Sequence, residues 1–199
     1  MSSENDGLPD GATPLDPDES EGLIPDHIVT RAELNEAEEA NIAAGFAWAV
    51  RAIRARHVLT DEFAYELHRR MFDQVWEWAG STRLTNKNIG IDKFGIRVAV
   101  RELVADASLW KEANVYPPEE IAVRLHHRLV AIHPFPNGNG RHARMMADLF
   151  MLKEGIRPLP WGRGRGSLVN TGELRSEYIA ALRAADRGDI APLLAFART

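Results

Sequence analysis

The feature that most constrains this chain is the twelve-residue segment HPFPNGNGRHAR, residues 133–144, which lies between two helical patterns. Before it, apolar residues recur at helical spacing from Ile121 to Ile132, and a helix should end at His133 because the following proline disfavours helical geometry. After it, a second helix should begin near Gly140 and end at Gly155. The segment is therefore predicted to be a tight connection between two buried helices.

The start of the second helix has the residues of an anion site. A helix N-terminus exposes backbone N–H groups that lack helical partners, together with the positive end of the helix dipole. Gly138 and Gly140 let the backbone approach a phosphate and form a nest of N–H groups. Arg141 and Arg144 lie three residues apart and project from one helix face. Two guanidinium groups over such a nest suit a di- or triphosphate better than a monophosphate.

His133 immediately precedes this nest. An imidazole with an ordinary pKa of about 6.5 accepts a proton near neutral pH, so His133 is predicted to deprotonate a hydroxyl that attacks a bound phosphorus. Phe135 is expected to point into the core and hold the loop in place. The alternative is structural, because a histidine before a proline and a Gly-Asn-Gly turn are each common. Their combination with two arginines in one window favours the functional interpretation.

Composition limits the class of protein. The 199 residues contain no cysteine, which excludes disulfides and thiol catalysis, and no run approaches the roughly 18 apolar residues of a membrane span. Residues 1–26 hold eight acidic residues and no lysine or arginine, and the rest of the chain carries a formal charge of +3. That charge is far from the basic surface of a nucleic-acid-binding protein. We expect a cytoplasmic protein with a flexible acidic tail, residues 1–25, and a single domain, residues 26–199.

Helical periodicity predicts a mainly α fold. A first helix should run from about residue 31 to 56, and Thr60 and Asp61 should cap a second helix that continues towards Gly80. Residues 81–98, STRLTNKNIGIDKFGIRV, contain β-branched residues and a turn-like Asp-Lys-Phe-Gly, which predict a short β-hairpin. Further helices are predicted from Val100, from Pro118, through Leu174–Leu182 and after Asp189.

The segment His133-Pro134-Phe135-x-x-Gly138-Asn139-Gly140-Arg141-x-x-Arg144 resembles the signature of Fic-domain proteins, which has the form HPFx(D/E)GNGRxxR. The resemblance extends from about residue 30 to the C-terminus and includes Gly80…Arg83, Tyr178-Ile179-x-x-Leu182 and Arg187-Gly188-Asp189. It is strongest for the subgroup called mobile mystery protein B. It implies a Fic-type helical bundle with one short β-hairpin flap.

The resemblance also implies an activity, that of a protein adenylyltransferase, which moves AMP from ATP to a hydroxyl side chain of a target protein with Mg²⁺ on the phosphates. It implies as partners ATP, a target with a Ser, Thr or Tyr hydroxyl, and either an antitoxin or self-inhibition. His133 would be the general base. The residues implied in nucleotide binding are Phe135, Gly138, Asn139, Gly140, Arg141, Arg144, Tyr178 and Asp186, the last two towards the adenine. The target-docking flap implied is Ile89, Gly90, Ile91, Asp92, Lys93, Phe94, Gly95 and Ile96.

Asn137 departs from the family pattern, which has Asp or Glu at this position to bind the magnesium. Mg²⁺ prefers anionic oxygen, and losing one unit charge at about 4 Å removes roughly 4 kcal/mol of Coulomb energy at an effective dielectric of about 20. Asn137 is therefore expected to be a weak metal ligand. Two alternatives to AMP transfer stay open: transfer of another phosphate-containing group, and a nucleotide-binding or interaction module without catalysis.

Residues 35–41, NEAEEAN, resemble a degenerate copy of the inhibitory pattern (S/T)xxxE(G/N) of Fic proteins. The resemblance implies that the first helix is inhibitory and that Glu39 pairs with Arg144, which would spoil the γ-phosphate site. The alternative is that Glu36, Glu38 and Glu39 form the solvated face of an amphipathic helix, as runs of charge usually do.

Overall fold

The computed structural model describes residues 22–27, 31–163, 165, 168 and 172–199. These residues divide into two compact units, a larger one that extends to Pro158 and a smaller one, Leu159–Thr199. Residues 1–21 of the predicted acidic tail lie outside the described residues, and the division into a tail and a single domain stays a prediction. None of the described helices is long and apolar enough to cross a membrane.

Helices make up most of both units, and the mainly α fold class is confirmed. The larger unit contains α1 (Arg31–Ala52), α2 (Asp61–Phe72), α3 (Ile96–Glu112), α4 (Pro118–Ile132) and α5 (Asn139–Lys153). The smaller unit contains α6 (Glu173–Asp186) and α7 (Ala191–Ala197). Within it, α6 packs on α7.

Local sequence signals set the helix starts. The Thr60 hydroxyl accepts a hydrogen bond from the Phe63 N–H at 3.1 Å and so caps α2, as predicted. Pro118 occupies the first turn of α4, where a missing N–H costs nothing. The helix ends differ more from expectation. Helix α1 ends at Ala52 and α2 at Phe72, and each is followed by hydrogen-bonded turns instead of further helix.

Helices α4 and α5 form the centre of the larger unit. They pack extensively on each other, and α1 packs on α2. The large apolar side chains that are fully buried include Leu67, Met71, Phe72, Leu125, Leu129, Met146 and Phe150. Burying one such side chain contributes about 1.5–3 kcal/mol, so the loop between α4 and α5 is anchored at both ends by a rigid core.

The prediction of a β-hairpin at residues 81–98 is wrong. All of these residues are described, and they form turns, a short 3₁₀ turn at Lys93–Gly95 and the start of α3. Side chains, not a facing strand, satisfy much of the local backbone: the Asp92 carboxylate accepts from the Phe94 N–H at 2.9 Å, and the Asn86 amide oxygen accepts from the Lys93 N–H at 2.9 Å. Such side-chain bonds compete with a strand ladder, and here they replace it.

Residues near position 23 are attached to the larger unit, although they belong to the stretch predicted to be tail. Leu23 forms an isolated antiparallel bridge with Trp76. The Ile24 N–H donates to the Val75 carbonyl at 2.9 Å, and the Glu77 N–H donates to the carbonyl of residue 22 at 2.9 Å. These bonds add a short pairing beside the turns that follow α2.

Candidate active site

His133 ends α4 in a left-handed conformation, with φ 54° and ψ 61°. Its N–H still donates to the Leu129 carbonyl at 3.0 Å, so the helix is complete up to this residue and then turns sharply into Pro134. A non-glycine residue in this conformation costs roughly 1–2 kcal/mol, which the surrounding contacts must offset. The turn brings the His133 side chain to the loop that leads into α5.

Burial and positive charge together keep the His133 imidazole neutral. Its side chain is almost fully enclosed, at 6% exposure. Burial lowers the pKa of His133 from 6.5 to about 4; the charges of Arg83 and Lys87 also lower it, and a backbone hydrogen bond at Val130 opposes them. The ordinary pKa expected from the sequence is therefore wrong: at pH 7 the imidazole is neutral and keeps its lone pair, but it is a weaker base than an exposed histidine.

The loop from residue 134 to residue 138 is braced by its own side chains. The Asn139 amide oxygen accepts from the Phe135 N–H at 2.9 Å, and its amide NH₂ donates to the Phe135 carbonyl at 2.8 Å. The Phe135 ring is buried and stacks on His68, with ring centroids 3.6 Å apart. Phe135 thus points into the core as expected, and a direct role at the nucleotide stays a prediction.

Gly138 caps α5 at the point where the predicted anion nest lies. Its φ of 75° is left-handed, and a Cβ at this position would lie 2.5 Å from the Phe72 ring, so only glycine fits. Helix α5 begins at Asn139, and its first turn supplies the N–H groups that an anion would bind. Gly140 is different, since a Cβ there would meet only the Arg144 guanidinium, at 3.7 Å. That distance also places the Arg144 guanidinium beside the helix start.

Arg141 lies on the same first turn and is already paired. Its Nη1 lies 2.7 Å from Oε2 of Glu38, and its guanidinium carbon lies 5.0 Å from the centre of the Phe72 ring. The other oxygen of Glu38 accepts from the Trp76 indole N–H at 2.8 Å. Glu38 is buried at 6% exposure, so a carboxylate of α1 occupies one of the two predicted phosphate-binding arginines.

The carboxylate that reaches the predicted anion site is therefore that of Glu38, whereas the neighbouring Glu39 is exposed. A signal for this was present in the sequence. Glu38 lies four residues after Leu34 and four before Ile42, two apolar residues of α1, so helical spacing puts it on the inward face. The pairing of Glu39 with Arg144 stays a prediction of the resemblance.

His68 is a site residue that the sequence analysis missed. It is fully buried on α2, and its Nδ1 accepts from the Gly80 N–H at 3.0 Å. The proton must then lie on Nε2, which donates to the Asn137 carbonyl at 3.1 Å. Burial is the largest cause that holds the pKa of His68 well below 6.5. His68 is therefore a neutral side chain that holds the loop of residues 134–138 through the Asn137 carbonyl and the Phe135 ring.

The loop does not offer the ligands that magnesium prefers. The Asn137 amide oxygen is neutral and accepts a hydrogen bond from the Gly138 N–H at 2.7 Å. In the part of the chain that the structure describes, no group of three or more His, Cys, Asp or Glu residues could hold a metal ion. The donor set therefore does not fit a magnesium ion held by protein side chains, and the predicted Mg²⁺ has support only from the resemblance.

The remaining predicted residues fall in two places. Of the segment 89–96, Phe94 is exposed at 86% and Ile89 at 39%, so apolar surface faces solvent there, and the docking role of the segment stays a prediction. Tyr178 and Asp186 lie on α6 in the smaller unit. Tyr178 is buried and packs on Phe196, with ring centroids 5.5 Å apart, whereas Asp186 is exposed. Their roles at the adenine stay predictions.

The part of the chain that contains His133 and the start of α5 matches a known protein family. Residues 58–151 match the model of the Fic/DOC family. A protein adenylyltransferase, fic-1 of Caenorhabditis briggsae, is 31% identical over 149 residues, which are 72% of this chain and 27% of the relative. The chain thus matches about a quarter of that curated relative's length.

Solved structures share the helical fold. Fic-1 of Caenorhabditis elegans has 26% identity and a TM-score of 0.58, over 90% of this chain and 51% of that chain. BepC of Bartonella tribocorum, solved with bound AMPPNP, has 17% identity and a TM-score of 0.63, over 86% of this chain and 87% of that chain. None of these comparisons bears on the predicted subgroup.

Proposed function

This chain carries a domain of the Fic/DOC family, and from that premise we propose that it is a protein adenylyltransferase, which moves AMP from ATP to a hydroxyl side chain of a target protein. The observation that carries the proposal is the junction of α4 and α5. There a neutral, buried His133 directly precedes a helix N-terminus capped by Gly138 and flanked by Arg141 and Arg144.

The chemistry of the proposed step uses these groups in turn. His133 takes the proton of the target hydroxyl as its oxygen attacks the α-phosphorus of ATP. A new P–O bond joins AMP to the target, the bond from the α-phosphorus to the bridging oxygen breaks, and pyrophosphate leaves. The N–H groups at the start of α5 and the guanidinium of Arg144 stabilise the negative charge that gathers on the leaving phosphates.

Labelling separates this reaction from its alternatives. Transfer of ³²P from α-labelled ATP to a protein in cell extract, without transfer from γ-labelled ATP, is expected for adenylylation. His133→Ala should lower the rate by about 10²–10⁴-fold, because it removes the general base. The exposed His57 provides the control, since His57→Ala should label at the wild-type rate. Equal labelling by wild type and His133→Ala would end the proposal.

Self-inhibition belongs to the same proposal, with Glu38 as the blocking carboxylate. Its Oε2 lies 2.7 Å from Arg141, so an incoming phosphate must compete with a buried ion pair for that guanidinium. Glu38→Gln removes the charge and keeps an oxygen for the Trp76 indole, so transfer should rise by about tenfold or more. Glu36→Gln, a change in an exposed side chain of the same helix two residues away, should leave the rate unchanged.

The second candidate is a nucleotide-binding or interaction module that has lost catalysis. Asn137 favours it, because a neutral amide stands where the family pattern has a metal-binding acid. Calorimetry with ATP, with and without Mg²⁺, measures how much the affinity for ATP depends on the metal. Binding that ignores the metal, together with no transfer by Glu38→Gln, would favour the module. The predicted toxin–antitoxin pairing is supported by the resemblance alone.

A further inference from the structure

Arg83 is a charged side chain enclosed within the larger unit, with only 1% of its surface exposed. A buried guanidinium costs free energy unless its donors are satisfied. Here Nε donates to the His133 carbonyl at 2.7 Å and Nη1 to the Thr85 carbonyl at 2.7 Å, while Nη2 donates to the Ile91 carbonyl. One planar group therefore binds carbonyls from two separate segments of the chain.

The first of these segments is the end of α4. The Nε bond fixes the carbonyl of His133, whose left-handed conformation is otherwise unfavourable. The backbone repeats the link, because the Arg83 N–H donates to the Pro134 carbonyl at 3.0 Å. Arg83 thus holds the peptide units on both sides of the turn that aims the imidazole.

The second segment is the loop that contains residues 85–91. Its two ends are joined by the guanidinium, since the carbonyl oxygens of Thr85 and Ile91 both accept hydrogen bonds from it. The Ile91 N–H also donates to the Ile132 carbonyl, at 3.4 Å. Gly90 lies where a Cβ would come 2.7 Å from the His133 Cβ and 2.9 Å from Arg83 Nη2, so this loop passes directly against the imidazole-bearing residue.

We propose that Arg83 is a positioning residue that holds His133 and the 85–91 loop in one shared geometry, so that the proton-accepting group and the start of the predicted docking segment, residues 89–96, are aligned by a single side chain. The proposal rests on the proposed function for its kinetic consequences. Its structural consequences do not depend on that function. The positive charge of Arg83 is also one of the causes that keep the pKa of His133 low.

Two substitutions separate charge from geometry. Arg83→Lys keeps the charge but replaces the planar guanidinium, whose three nitrogens each donate to a different carbonyl, by one ammonium nitrogen. A single nitrogen cannot reach all three carbonyl oxygens. Arg83→Gln removes the charge as well. The control is Arg101→Lys, because Arg101 is exposed and its ion pair with Asp61 is long, at 3.4 Å.

Hydrogen exchange gives the readout that does not need activity. Both Arg83 variants should raise the exchange of amides 85–93 by about tenfold or more while α4 and α5 keep wild-type protection, and Arg101→Lys should change neither.

Proton NMR titration of His133, assigned with His133→Gln, should give a pKa near 4 in wild type and a higher pKa in Arg83→Gln. Arg83→Lys should stay near the wild-type value. Wild-type exchange in the 85–93 segment of both folded variants would overturn the proposal.

Transfer kinetics add the functional readout. Arg83→Lys should lower kcat and raise the KM for the target while the KM for ATP stays within about twofold, because the anion nest is built on α5. If neither wild type nor Glu38→Gln transfers anything, the proposed function fails and the exchange and titration results still decide the role of Arg83.

A further variant covers the case in which both arginine substitutions fail to fold. Gly90→Ala leaves Arg83 intact but forces the loop away from it, since its φ of 97° is left-handed and the added Cβ would clash. Exchange of amides 85–93 should then rise as in Arg83→Lys. Unchanged exchange in folded Gly90→Ala would overturn the proposal.

Discussion

Two neighbouring segments of this molecule hold their shape in different ways. The loop of residues 133–139 is braced locally: Asn139 closes it on Phe135, four residues away, and Gly138 supplies its left-handed corner. The segment of residues 81–95 has comparable local bonds at Asp92 and Asn86, but its base is held by Arg83 through the His133 carbonyl, fifty residues away. The first segment closes on itself through bonds that its own sequence predicts, and Arg83 and His68 add distant contacts to it, whereas the base of the second segment depends on the distant contact.

Acid should destabilise the helices that hold the first segment at a higher pH than it affects the second segment. His133 and His142 have pKa values lowered to about 4 by burial, and burial also holds the pKa of His68 and His126 well below 6.5. Each gains protons on unfolding below pH 6.5, so the stability is fully present above that pH and is lost as pH falls towards 4. Between pH 7.5 and 5 we expect a loss of about 2 kcal/mol for His133 and for His142, and a further loss in the same direction from His68 and His126, measured by urea unfolding.

The matched variant in that experiment is His142→Gln, whose amide can still donate to the Ala64 carbonyl that His142 contacts at 2.9 Å. Its stability should fall less steeply between pH 7.5 and 5 than that of wild type. Asp92, in the second segment, has a pKa lowered by its hydrogen bond from Asn86 and lies at the surface, so its titration belongs to a lower pH range. A pH-independent stability between 7.5 and 5 would contradict the burial of these imidazoles.

Glycine substitutions test the local geometry of the first segment. Gly138→Ala should destabilise the protein by roughly 2–5 kcal/mol, because the new Cβ meets the Phe72 ring at 2.5 Å and must adopt a left-handed φ. Gly140→Ala should be nearly neutral, since its Cβ meets only the Arg144 guanidinium at 3.7 Å. Thermal unfolding of the two variants measures the difference. Equal melting temperatures would mean that the backbone at Gly138 does not lie close enough to the Phe72 ring to exclude a Cβ.

Two asparagines compare the segments directly. Asn139→Ala leaves the Phe135 N–H and carbonyl without their buried partners and should cost about 2–4 kcal/mol. Asn86→Ala removes surface bonds to the Lys93 N–H and to Asp92 and a long bond from Arg83 at 3.4 Å, and should cost about 1 kcal/mol or less. Denaturant midpoints give both values. A larger loss for Asn86 would reverse our view of which segment is self-supporting.

The smallest expected effect concerns the metal. Asn137→Asp restores a carboxylate at the position that the Fic signature reserves for one, so Mg²⁺ should strengthen ATP binding by about tenfold in the variant and by less in wild type. Calorimetry with and without Mg²⁺ measures both. The added charge also faces the Gly138 N–H, which bonds the present amide oxygen at 2.7 Å, so the fold should tolerate it. Equal Mg²⁺ dependence of the two proteins would contradict this prediction.

Much of the α4–α5 junction was predictable from the sequence. Pro134 and Gly138 restrict the backbone wherever they occur, so the end of α4 and the start of α5 agree with the prediction within about a residue. The hairpin at residues 81–98 was not predictable, because β-branched residues and a turn signal are weak evidence when no facing strand is guaranteed. Glu38 was predictable in part: helical spacing alone would have placed it on the inward face of α1, but it did not identify the partner.

The sequence by itself determined most of the helices and the glycine-capped start of α5, because each depends on backbone preferences and contacts within a few residues. Only the tertiary structure decided that Glu38 pairs with Arg141, that His68 supports Asn137, and that Arg83 links two segments. Each of these is a buried polar contact between residues far apart along the chain. Such contacts form where packing removes water and leaves one partner within reach, and that reach exists only after the helices have assembled.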